Sequence, residues 1–149
     1  MNINQGIKLS GHIKFELKDA QGNVKDVRDI QNVVVTVGKT YLADWLTQAT
    51  QSDFFMQYIA LGTGTSAAMA SDTALETELP TRVVGTLTSV LNVWQNQASF
   101  GPGVNTGAIT EAGIFSESVA GTMLARQVFA VVNKAAGDTL TVTWQITLV

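Results

Sequence analysis

The chain has 149 residues, 46% of them hydrophobic and only 14% charged, with 9 Lys and Arg against 12 Asp and Glu for a formal net charge of −3. A length like this builds one domain around one core without needing disulfides or metals, and the balance is the reverse of a disordered chain's. It leaves no basic stripe for a phosphate backbone, and with no cysteine there are no disulfides. The surface then falls largely to Thr, Ser, Asn, Gln and Gly. Such a surface packs against a neighbour without stripping water from many ions; it equally describes a small β domain with Thr on its solvent face.

Residues Met1, Asn2, Ile3, Asn4 and Gln5 form a polar N-terminal arm without the apolar core of a secretory signal. No apolar run approaches the ~20 residues of a membrane-spanning helix. The expectation is a protein made in the cytoplasm and placed neither in a membrane nor on nucleic acid. Ile7, Leu9, Ile13, Phe15 and Leu17 then alternate with polar residues, as in a strand with one buried face. Asp19-Ala20-Gln21-Gly22-Asn23 is a turn, with Gly22 or Asn23 suited to a positive φ. Strands are expected over 24–30 and in the β-branched run Asn32-Val33-Val34-Val35-Thr36. One helix is expected near residues 39–48, with Tyr41, Leu42, Trp45 and Leu46 on one face and Gly38 or Thr40 at its start.

Phe55 to Leu61 reads as a strand that ends at Gly62-Thr63-Gly64-Thr65. The polar stretch over 62–80 exceeds ordinary connection lengths, which marks a loop that is functional or loosely ordered. Strands are expected over 81–94, 95–100, 108–115 and 123–132, separated by Gly, Pro and Asn clusters. The C-terminal segment is the clearest: Leu140, Val142, Trp144, Ile146 and Leu148 alternate without a break with Thr and Gln. The whole reads as a single all-β domain over 1–149. It is mainly antiparallel, a β-sandwich or jelly roll with one short α-helix.

Chemistry is sparse. His12 is the single histidine and sits on a polar strand face, with no nucleophile elbow to accompany it. One His and no Cys leave soft metals without ligands. Gly62-Thr63-Gly64-Thr65 lacks the Lys-Ser/Thr of a phosphate loop and the third glycine of a dinucleotide loop, so it reads as a turn. Asp72, Glu76 and Glu78 lack Ca²⁺-loop spacing; Ser71 capping a helical turn is the competing reading. No catalytic, metal or cofactor residues are therefore assigned. Glu111 and Arg126 stand out because each lies in an apolar run. As a pair on adjacent strands they satisfy one another, whereas each alone in a core is costly.

Taken in order, five stretches carry a resemblance. They are the Asp19–Gly22 hairpin; Asn32-Val33-Val34-Val35 leading through Gly38 to Trp45-Leu46; Tyr58 to Thr65; Asp72 to Glu78 with Arg82; and Glu111 to Phe115 with Leu124-Ala125-Arg126 and the Trp144 strand. Together the chain resembles the small virion proteins of tailed bacteriophages, a class containing capsid decoration (cement) proteins, head fibres, and tail-fibre or baseplate components. The resemblance implies a structural protein on the phage particle surface, a homo-oligomer of two or three copies, with the major capsid protein as partner. The arm and the loop, with Thr63 and Thr65, are the attachment candidates. The alternative is a tail-fibre, baseplate or host-surface adhesin module that binds glycan, with Phe54, Tyr58, Trp94 and Phe100 as its aromatic platform. Ordinary core aromatics are the competing reading of those four. A small phage hydrolase is the third reading, and the missing nucleophile–base set weighs against it.

Overall fold

The computed structural model describes residues 8–47 and 55–149. The described strands are β1 (Leu9–Lys18), β2 (Val24–Val34), β3 (Tyr58–Gly62), β4 (Val83–Val84), β5 (Thr86–Val90), β6 (Val93–Phe100), β7 (Gly107–Phe115), β8 (Met123–Lys134) and β9 (Thr139–Leu148), with one helix, α1 (Thr36–Thr47). Every pairing is antiparallel. They form one sheet of nine strands in the order β4-β3-β7-β8-β2-β1-β9-β6-β5. The fold is all-β with one short helix.

Two segments bend this sheet until it nearly closes. β2 pairs with β1 over most of its length but with β8 only at Val33 and Val34. Where β2 and β8 part, the Arg28 guanidinium donates to the carbonyls of Ala130 and Val131, and Asp26 neutralises it. That side chain protects an open strand edge with charge. At the far side, edge strands β4 and β5 are separated in the chain by Gly85 alone. The Gly85 N–H donates to Gln57 O (2.8 Å), and Asn96 Nδ2 on β6 donates to Met56 O (3.0 Å).

Alternation places the inner face. Ile13, Phe15 and Leu17 on β1 and Leu140, Val142, Trp144 and Ile146 on β9 are buried, as their period of two requires. Phe15 meets Phe129 of β8 with ring centroids 4.3 Å apart. Each large apolar side chain buried here contributes about 1.5–3 kcal/mol. On the outer face of β6 and β9, Gln97 bonds Thr143 (2.9 Å), Ser99 bonds Thr141 (3.1 Å) and Gln145 bonds Gln95 (2.9 Å). This neutral ladder is the polar side of the same alternation.

Several boundaries differ from the sequence expectations. The stretches 24–30 and 32–36 are joined: β2 runs on to Val34, and the helix begins at Thr36, ahead of Gly38. Thr40 is no cap, because its Oγ1 donates back to Thr36 O within the helix (3.2 Å). Residues 81–94 are not one strand. Gly85 carries the chain between sheet edges, and a turn at Leu91-Asn92, with φ of 55° at Leu91, reverses it. Gly22 has φ of 86° in its hairpin, the conformation its turn demands. The arm Met1–Gln5 and Phe54 lie outside the described residues.

Candidate functional site

β3 and β7 are buried on both faces. Ile59 and Leu61 point into the main core, while Ala60 between them joins a second cluster with Val35, Leu75, Phe115 and Met123. That second cluster exists because residues 63–80 cross the outside of the sheet as a strap and plant Leu75 there. The strap's returning limb is anchored at Thr63 N to Thr77 O (2.9 Å) and Leu79 N to Leu61 O (2.9 Å), with a bridge between Gly62 and Glu78.

The latch beneath the strap is ionic. Glu111 of β7 is wholly buried and Arg126 of β8 is 3% exposed, with Arg126 Nη2 2.9 Å from Glu111 Oε2. Glu111 Oε1 accepts the N–H groups of Gly64 (3.0 Å) and Thr77 (2.7 Å), and Oε2 accepts the N–H of Glu76 (3.0 Å) and Nε of Arg126 (3.0 Å). Arg126 also donates to Asp72 Oδ2 (2.7 Å) and Ser66 O (3.1 Å). Glu76 in turn accepts Thr65 N, Ser66 N and Ser66 Oγ at 2.7–2.9 Å. A buried ion pair is tolerable only when its remaining donors and acceptors are met, and here strap backbone meets them.

This arrangement explains the Gly62-Thr63-Gly64 motif. A Cβ on Gly62 would lie 2.5 Å from Glu111 Oε1 and 2.6 Å from Thr77 O; one on Gly64 would lie 2.5 Å from both Glu111 Oε1 and Glu76 Cβ. The glycines let two backbone segments close on a carboxylate. The acidic residues also change meaning. Ser71 caps no helical turn: Asp72 N donates to Met69 O (3.1 Å) and its carboxylate accepts Met69 N (2.9 Å), closing a tight reverse turn instead. Asp72 and Glu76 face Arg126, and Glu78 forms a bidentate pair with Arg82 at 2.6 and 3.0 Å. Among the described residues, no group of three or more His, Cys, Asp or Glu is placed to hold a metal ion.

Arg82 stands in the sequence only as part of the resemblance, with no role assigned to it. It lies over the Phe115 ring at 3.6 Å from the centroid and donates to Glu117 O (2.9 Å) and Ala120 O (2.7 Å). It ties the strap's end to the β7–β8 loop. Its one sequence signal was an arginine four residues beyond Glu78, a spacing that favours pairing. Thr63 and Thr65 are exposed on the strap's outgoing limb. His12 is exposed on β1, with Nδ1 2.8 Å from Asp29 Oδ1. The aromatics are dispersed: Phe100 is wholly buried, Tyr58 packs on the second cluster, and Trp94 lines a groove beside α1.

Five carboxylates, Glu16, Asp19, Asp72, Glu76 and Asp138, are held below their ordinary pKa. Burial pushes Asp72 up, but the Met69 N–H and the Arg126 guanidinium together outweigh it. Hydrogen bonds from Ser66 lower Glu76, and the Lys25 ammonium followed by the Ala135 N–H lowers Asp138. A depressed folded-state pKa gives stability that is full above the unfolded value and is lost as pH falls through the folded one. The Tm is therefore expected to be flat from neutrality to about pH 5 and to fall below about pH 4. Asp72→Asn is expected to make that fall shallower. Melts across a pH series check this; a Tm unchanged into strong acid contradicts it.

The fold and site together define an all-β, nearly closed sheet carrying an ion-latched strap. No protein-family model matches the chain, and neither a curated protein nor a solved structure significantly resembles it.

Proposed function

We propose that this chain is a structural protein of a tailed-phage particle: a capsid decoration protein that binds the outer surface of the major capsid lattice and stabilises the head. The ordered resemblance, from the Asp19–Gly22 hairpin to the Trp144 strand, supplies the class. The observation that carries the reading is the latched strap. A long polar loop is fixed against the sheet by Glu111 and Arg126, and it presents Thr63 and Thr65 outward. A protein that works by fit needs such a surface folded in advance, because ordering a loose loop on binding would subtract from affinity. The neutral Gln and Thr ladder on β6 and β9 adds surface that packs without desolvating ions. Weak contacts repeated over a symmetric oligomer and lattice then add up to firm attachment.

The test is location. Fluorescently or gold-labelled protein added to particles that lack it is expected to cover the head in many copies and to raise the temperature at which the head ruptures. Labelling confined to the tail tip, or to host cells, would overturn the reading in favour of a tail or adhesin component.

A further inference from the structure

We infer that the apolar groove beside α1 takes the β5–β6 hairpin tip of a second copy of this chain. The groove holds about 410 Å³ between α1 and the ends of β6 and β9, and Leu42, Met56, Trp94 and Ile146 are among its walls. None of its lining residues carries a charge. Its rim is exposed apolar surface: Trp45 is 41%, Leu148 45% and Phe55 52% exposed.

The same end of the molecule carries a matching projection. Val90 is 70% and Leu91 98% exposed at the hairpin tip. Leu91 holds φ at 55°, a left-handed conformation that Asn or Gly adopts readily and leucine does not. Its side chain therefore serves neither the turn nor the core of its own chain. Knob and groove are also fixed side by side. Asn92 O accepts the N–H of Leu148 (2.9 Å), and Asn92 Nδ2 donates to Leu148 O (2.7 Å). A rotation that brings two such ends together sets each tip against the other's groove, a self-complementary contact that closes. A small apolar ligand would account for the groove but leave the knob unexplained. A second copy accounts for both, and for uncharged surface on each side. This deepens the oligomeric part of the proposed function, but it is read in solution without particles, so either can fail alone.

The experiment is sedimentation velocity on the full chain over a range of micromolar concentrations. Wild type is expected to self-associate. Leu91→Asn removes the knob while suiting the turn; at about thirtyfold for each interface hot spot lost, the two knobs of a symmetric pair make the expected weakening about a thousandfold, with a Tm equal to or above wild type. Trp45→Ser at the groove rim is expected to weaken association without touching the knob. A wild-type chain that stays monomeric throughout overturns the inference, because the groove is then filled by the chain's own residues or by a small ligand. Association that survives both substitutions overturns it too.

Discussion

Replacing Glu111 with alanine is expected to lower the Tm by about 6–20 °C, the consequence of losing about 3–5 kcal/mol in a domain of this size. The carboxylate is wholly buried and meets three strap N–H groups as well as Arg126. Alanine orphans three amides at once and takes from the Arg126 guanidinium its wholly buried partner, leaving it Asp72 and Ser66 O. Glu111→Gln keeps the size but turns one of the two oxygens into a donor. On either orientation that donor faces another donor, Gly64 and Thr77 on one side or Glu76 and Arg126 on the other. The amide is thus expected to rescue little. Replacing both Glu111 and Arg126 with apolar residues removes the charges but not the orphaned amides, so this pair is not interchangeable with a hydrophobic plug. Thermal melts of Glu111→Ala and Glu111→Gln check this; a Tm within a degree or so of wild type for either contradicts it.

Gly64→Ala is expected to destabilise by about 3 kcal/mol, the upper end for forcing an added group into a packed site. Its Cβ would sit 2.5 Å from Glu111 Oε1 and 2.8 Å from Glu111 Cδ, so the latch itself must move. Gly22→Ala is the control. Nothing lies within 4 Å of a Cβ there, and only the left-handed backbone at φ 86° opposes it, at about 1–2 kcal/mol. One glycine is needed for close approach and the other for conformation. Urea unfolding midpoints separate them: Gly64→Ala is expected to fall well below Gly22→Ala, and equal midpoints would mean that the strap yields without loss.

How much of this was legible in the sequence depended on which faces were buried. β9 was plain, because one buried face imposes strict alternation from Leu140 to Ile146. β3 and β7 were expected as strands, over 55–61 and 108–115 against the observed Tyr58–Gly62 and Gly107–Phe115, but their burial on both faces was not: with the strap on one side and the core on the other, Ile59-Ala60-Leu61 and Ile114-Phe115 lose the alternation that marks a half-exposed strand. Glu111 and Arg126 were conspicuous as charges inside apolar runs. Their reason for being there lay 35 and 47 residues away in the backbone of Glu76 and Gly64, and amide groups leave no trace in a residue pattern. The break at Leu91 was hidden for a related reason. A turn built on leucine and asparagine lacks the usual glycine, and its signal emerges only when Leu91 is seen to be 98% exposed. The proposed class of protein, by contrast, rests on the order of motifs along the chain.

The strap is a fixed part of the domain. Amide hydrogen exchange under native conditions reads that directly at Gly64, Glu76 and Thr77. If Glu111 holds the strap, these three amides exchange as slowly as those of the core strands in the wild type, and all three lose protection together in Glu111→Ala while β1 and β9 keep theirs. Fast exchange at the three amides in the wild-type protein would contradict it.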